Sequence, residues 1–344
     1  MKIAILDDYQ DAVRQLDCFK LLDGHDVKVF NSSAKGAGQL GIRLAPFEAL
    51  VLIRERTAFP AALLEKLPNL KLISQTGKLA GHVDVAAATA RGVAIAEGIG
   101  SPVAPAELTW ALIMAASRKI VPYANNLKEG QWQTASVNPL LNGLGRTLKG
   151  RTLAIWSYGK IGRMIAGYGK AFGMQVLVWG GEASRAAALA DGFEAAPSRA
   201  ALFERADVLS LHLRLADGTR GIVTAEDLAR MKPDALFVNT SRAELVAPDA
   251  LEAALRLGRP GNAAIDVFTS EPLAPDAPLL RMPTVLATPH IGYVEKDSYE
   301  LYFRTAFDNV LNFANSTPSN ILNPEVLRKE ERERGQTPVF PLGV

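Results

Sequence analysis

Cysteine is nearly missing from this 344-residue chain, which holds only Cys18. An internal disulfide is therefore excluded, and disulfide-stapled secreted folds with it. A lone thiol near the N-terminus reads as a packing residue in a reducing compartment. Net charge is missing too: 38 Lys and Arg face 36 Asp and Glu, a balance of +2. No field of that size steers a protein to nucleic acid or acidic lipid. No apolar run reaches the ~18 residues of a membrane-spanning helix. The stretch Met1–Leu6 runs straight into Asp7 and Asp8, too short and too acidic for a signal peptide. A cytoplasmic protein is expected, with no nucleic-acid or membrane partner and no metal. Repeats at solenoid periods are absent. Apolar residues are plentiful at 48%, enough for a packed interior, and the length suggests two domains of ~100–200 residues.

Short apolar runs alternate with helical patterns almost throughout. Lys2–Leu6, Asp26–Phe30, Leu50–Ile53, Lys71–Ser74 and Val93–Ala96 read as strands. Pro60–Leu67 and Val83–Ala90 read as helices between them. Strand, helix and strand at this spacing mean parallel βαβ units. After the break Gly98–Pro102 comes a long apolar helix pattern, Val103–Ile120, with Ser101 as its N-cap and Pro102 as its first residue. Asn138–Gly150 reads as a linker. A second series follows, with strands at Thr152–Trp156, Gln175–Val178, Val208–His212, Ala235–Asn239, Ala263–Val267 and Thr284–Ala287. The helix pattern Glu295–Ala314 closes it. The charged run Arg328–Arg334 reads as a solvated helix end or a disordered tail. Two such series predict an α/β protein with two doubly wound parallel sheets. These bind ligands beyond the carboxyl ends of their strands, so a cleft between the domains is expected.

The strand Thr152–Trp156 leads into Ser157-Tyr158-Gly159-Lys160-Ile161-Gly162 and then a helix pattern. This is G-x-G-x-x-G with serine at the first glycine. Gly159 would let the backbone approach a pyrophosphate, and Gly162 would let the helix pack closely on its strand. Helix N-terminal amides would hold the phosphates. The acid expected about 20 residues on, for the ribose hydroxyls, is missing: the position is Gly180. Glu182 could substitute for it, or Arg185 could pair with a 2′-phosphate, so NAD and NADP both stay open. The same loop fits S-x-x-K, but no companion S-D-N or K-T-G supports acyl-enzyme chemistry.

Three later strand ends carry polar groups: Asn239-Thr240-Ser241-Arg242, then Asp266 through Glu271-Pro272, then Thr288-Pro289-His290-Ile291-Gly292. With the loop Gln75-Thr76-Gly77-Lys78, the order and spacing of these segments resemble the D-isomer-specific 2-hydroxyacid dehydrogenase family. That family includes D-3-phosphoglycerate dehydrogenase and glyoxylate or hydroxypyruvate reductases. The resemblance covers residues 1 to about 320. It implies a Rossmann cofactor domain, residues 102–295, inserted in a flavodoxin-like substrate domain, residues 1–101 and 296–344. It also implies a catalytic trio, Arg242, Glu271 and His290. Imidazole titrates near neutral pH and suits His290 to protonate a ketone oxygen. Glu271 would hold the ring and favour its charged form. Arg242 could grip a carboxylate with two parallel donors and polarise the ketone.

By the same resemblance the cofactor would meet residues Ser157 to Gly162, Gly180, Gly181, Glu182, Arg185, His212, Leu213, Thr240, Ser241, Asp266, His290, Gly292 and Thr109. Asp266 would bond the nicotinamide amide. Arg54, Gly77, Lys78 and Leu79 would face the substrate, the loop through its backbone amides, beside Arg242. The partner implied is a small anionic 2-keto or 2-hydroxy acid. A homodimer through the region of Trp110 and Trp132 is implied as well, core packing being the other reading of these residues. Glu107 lies near the cofactor by analogy or on a plain helix face. Two departures stand out: Ala243-Glu244 where the family has two glycines, and Arg214 where it has proline. Competing readings are a dinucleotide-sensing protein without turnover and a formate dehydrogenase, which would carry glutamine where Glu271 stands.

Overall fold

A computed structural model of the chain describes residues 1–34, 36–138 and 141–327. The charged run Arg328–Arg334 lies outside the described residues. Two compact units form: Met1–Ser101 with the chain from Glu295 on, and Pro102–Val294.

The first unit holds β1 (Lys2–Ile5), β2 (Asp26–Val29), β3 (Ala49–Leu52), β4 (Leu72–Gln75) and β5 (Ala94–Ala96). They pair in parallel in the order β2-β1-β3-β4-β5. Every residue of β3 and β5 is buried, as a parallel sheet covered on both faces requires. The helix Lys296–Ala314 covers the sheet with Tyr299, Tyr302, Phe303, Ala306, Phe307 and Val310 buried. These recur at three- and four-residue steps, one stripe of a helix. The Ser74 hydroxyl donates to Ala306 O at 2.8 Å and ties helix to β4. The Glu295 carboxylate caps the helix by accepting from Asp297 N and Ser298 N. Cys18 is buried, and burial followed by its Glu300 contact pushes its thiol up to about 12. It remains a packing residue.

The second unit holds β6 (Thr152–Trp156), β7 (Gln175–Trp179), β8 (Glu194–Ala195), β9 (Val208–Leu211), β10 (Leu236–Asn239), β11 (Asn262–Ile265) and β12 (Val285–Ala287). Their order is β12-β11-β10-β9-β6-β7-β8, with the pairs parallel. Neighbours along a strand face opposite sides. Phe237 packs with Phe203 and Leu228, while Val238 packs with Ile165 and Val178 on the other face. Each fully buried phenylalanine there contributes roughly 1.5–3 kcal/mol.

Three expectations change. The helix after Gly98–Pro102 starts at Val103 with Pro102, not Ser101, in the cap position, where the proline makes no side-chain cap bond. The pattern Val103–Ile120 is not one helix. It stops at Ser117, Lys119 turns left-handed at φ 53°, and a second helix runs Ile120–Lys128. The Asn138–Gly150 segment is not a free linker: Leu148 is buried and Arg146 pairs with Asp234 inside the unit.

Candidate functional site

In the second unit the sheet order reverses direction between β6 and β9, and ligands bind beyond the strand ends at such a point. The glycine loop lies there. Ser157 leaves β6 with φ +82° and donates its N–H to Trp179 O at 2.8 Å. Gly159 caps the helix Lys160–Ala171, and no atom lies within 4 Å of where its Cβ would stand. A Cβ on Gly162 would instead collide with Ser157 O, so only glycine lets this helix sit so close to the turn. An open backbone at Gly159 beside a helix N-terminus fits a dinucleotide pyrophosphate. Tyr158 turns its ring away into the unit. It is buried, donates its hydroxyl to Asp191 at 2.8 Å and lies under Arg163. Burial and then Asp191 push its phenol up to about 12. Only the Tyr158 backbone is left for a ligand.

Past β7, Gly180 and Gly181 lead into the helix Glu182–Ala190, whose cap Gly181 offers no side chain. Past β9, the His212 Nε2 lies 2.9 Å from Ser210 Oγ. Burial pushes His212 down to about 4, so this imidazole is neutral at physiological pH.

Past β10 the turn is built by Asn239. It accepts Ser241 N at 3.0 Å and donates to Arg242 O at 2.8 Å. The Ser241 hydroxyl donates to Leu211 O, and Arg242 Nη1 donates to Ser241 O at 2.7 Å. The Arg242 guanidinium is therefore held by its own turn. Thr109 is fully buried; its hydroxyl lies 2.7 Å from both Pro105 O and Thr240 Oγ1. It supports the Thr240 turn from the helix behind.

The structure brings His290 and Glu271 together, with Nδ1 2.7 Å from Oε2. The other Glu271 oxygen accepts Phe268 N at 2.9 Å. Burial would raise the Glu271 carboxyl. The hydrogen bond and charge of His290, the Phe268 amide and the charge of Arg242 outweigh it and hold the group below its ordinary value. The three groups thus share one electrostatic neighbourhood. His290 itself has φ 53°, and Asp266 explains how the chain is held there. Asp266 is fully buried. One oxygen accepts Thr288 Oγ1 at 2.6 Å and Ile291 N at 2.9 Å, and the other accepts Gly292 N at 2.9 Å. Burial raises its carboxyl despite these donors. The expected nicotinamide contact is thus a carboxylate already occupied in clamping the His290 turn.

In the first unit, Arg54 follows β3 with φ 51° and donates its N–H to Thr76 Oγ1 at 3.0 Å. Its guanidinium lies against Gly77, and Gln75 Nε2 donates to its carbonyl. Lys78 pairs with Glu97 at 2.9 Å, and Leu79 N donates to the same carboxylate at 2.8 Å. Glu97 is the residue the sequence reasoning missed. It follows β5 directly, and an acid just past a strand end was the available signal. Glu97 holds two donors expected to serve a substrate carboxylate.

Trp110 packs against Tyr168 and Phe172, with ring centroids 5.8 and 5.0 Å away, so core packing accounts for it. Trp132 is 75% exposed. Arg214 and Glu107 are exposed and Glu244 is half-buried. Among the described residues, no group of three or more His, Cys, Asp or Glu could hold a metal ion, and no helix is long and apolar enough to cross a membrane.

Residues 110–292 match the NAD binding domain of the D-isomer specific 2-hydroxyacid dehydrogenases. The chain is 35% identical over 270 residues to a glyoxylate reductase of Aeropyrum pernix, spanning 77% of this chain and 80% of that one. A crystal structure of a phosphoglycerate oxidoreductase from Vibrio cholerae superposes with a TM-score of 0.89 at 59% identity, over 92% of this chain and 99% of that one. The apo structure of D-lactate dehydrogenase from Escherichia coli gives 0.79 at 25% identity, over 94% and 100%.

Proposed function

Because this chain belongs to the D-isomer specific 2-hydroxyacid dehydrogenase family, we propose that it interconverts a small anionic 2-keto acid and its D-2-hydroxy acid. The observation that carries the reading is the 2.7 Å His290–Glu271 pair with the charge of Arg242 beside it. NAD(P)H, when bound, supplies the hydride that goes to the ketone carbon. The open backbone at Gly159 and the helix start at Lys160 would hold its pyrophosphate, and Ser241 and Thr240 would serve the coenzyme from the turn after β10. Arg242 grips the carboxylate and draws charge onto the ketone oxygen. His290 donates the proton from Nε2 while Glu271 holds Nδ1 and supports the charged imidazole. Asp266 keeps the His290 turn in place.

The direct test follows loss of reduced-nicotinamide absorbance with glyoxylate, hydroxypyruvate, pyruvate and 2-ketoisocaproate. Turnover of at least one is expected. No turnover of any, despite coenzyme binding, would make the chain a dinucleotide sensor instead. A homodimer in the cytoplasm completes the proposal. Its support is an exposed apolar series: Ile120, Val121, Leu127, Trp132, Val137, Leu141 and Leu144. Sedimentation should give twice the chain mass, and Trp132→Asp should lower it.

A further inference from the structure

In doubly wound dinucleotide folds, an acid at the end of the second strand grips the ribose hydroxyls, and an arginine nearby can accommodate a 2′-phosphate instead. Here that strand is β7 and the acid's place is Gly180. The place cannot simply be refilled. A Cβ there would stand 3.0 Å from Ser184 Cβ and 3.3 Å from its Oγ, on a backbone with φ +157°.

Arg185 sits in the first turn of the nine-residue helix Glu182–Ala190. Helical side chains lean toward the helix start, and Arg185 does so. Its guanidinium lies 5.0 Å from the ring centroid of Trp179, the last residue of β7. A cation over a ring face keeps its terminal N–H donors for other partners. Among the described residues the side chain makes no ion pair, and its Nε is buried without a hydrogen-bond partner. Beside it, Ser184 Oγ accepts Tyr158 N at 3.4 Å, which leaves the hydroxyl proton to be donated elsewhere. The uncapped helix start adds positive potential. Glu182 is the acid in this turn; it is exposed and forms no ion pair with Arg185.

We propose that Arg185, stacked on Trp179 and seconded by the Ser184 hydroxyl, receives the 2′-phosphate of the coenzyme's adenosine ribose, so that this chain prefers NADPH to NADH. The inference rests on the dinucleotide reading above but not on turnover.

Direct titration of the full chain with NADPH, NADH and adenosine 2′,5′-bisphosphate tests it. NADPH should bind at least about tenfold tighter than NADH, the worth of one or two charge-assisted bonds. Arg185→Ala should erase that difference by weakening NADPH and the bisphosphate, at much smaller cost to NADH. Arg185→Lys, which keeps a point charge, should retain part of the preference, and Ser184→Ala should lose part of it. These two variants decide the matter if Arg185→Ala fails to fold. NADH binding as tightly as NADPH would overturn the proposal, as would an equal loss of both coenzymes on removing the guanidinium. Binding of neither coenzyme would sink the dehydrogenase reading too. Tight NADPH binding without turnover of any keto acid would sink that reading alone.

Discussion

At the scale of single residues, His290 and Glu271 act as one hydrogen-bonded pair, and each has its own expected signature. His290→Ala removes the proton donor and should cut turnover by at least about 100-fold. A variant retaining near-normal turnover would remove His290 from the mechanism. Glu271→Gln keeps the shape and removes the carboxylate charge that holds His290 Nδ1. Turnover should then fall with the fold intact, because the ring loses the partner that orients it. Stability carries a pH signature of its own. Glu271 is held below its ordinary value of 4.5. Its stabilising contribution is present above that value and is lost as the pH falls through the lower folded one. Ser157 is a different case. A serine at φ +82° carries strain of order 1 kcal/mol that glycine avoids. Ser157→Gly should raise the midpoint of thermal unfolding, and a lowered midpoint would show that the hydroxyl does more than fill a turn.

Among the elements, the turn after β11 depends on Asp266. Asp266→Asn puts an amide NH2 against one of three donors and should cost about 1–3 kcal/mol. It should also lower kcat more than it raises KM for the coenzyme, because the loosened element carries His290. The reverse split would return Asp266 to a direct coenzyme contact. This turn also marks the limit of what the sequence discloses. Continuous apolar runs such as Ala49–Leu52 and Thr152–Trp156 announce buried parallel strands, and polar groups just past β10 and β11 announce a site. The two-residue edge strand Glu194–Ala195 has no period to read. The break at Lys119 is a left-handed turn that its side chain does not require. The work of Asp266 and Glu97 depends on partners about 20 residues away, so residue type alone announced neither the clamp on the His290 turn nor the hold of Glu97 on the 78–79 loop.

For the whole molecule, the order of the two units along the chain decides what can fold alone. Pro102–Val294 is continuous and encloses its own sheet with apolar side chains on both faces. Expressed by itself, it should unfold cooperatively in urea and bind coenzyme. Residues 1–101 lack the helix Lys296–Ala314 that buries Tyr302, Phe303 and Phe307 over their sheet. That fragment should show no cooperative transition until the helical segment is supplied in trans. A cooperative transition of residues 1–101 alone would mean that the helix is a late addition and not part of the core.

The same chain order sets a schedule during synthesis. The inserted unit leaves the ribosome entire while the protein is still being made. The five-stranded sheet, begun before it, must wait for the helix Lys296–Ala314 before its remaining face is closed. Through that interval the face of the sheet that carries Ser74 stands open to water, and a nascent chain in that condition is the form a chaperone would hold.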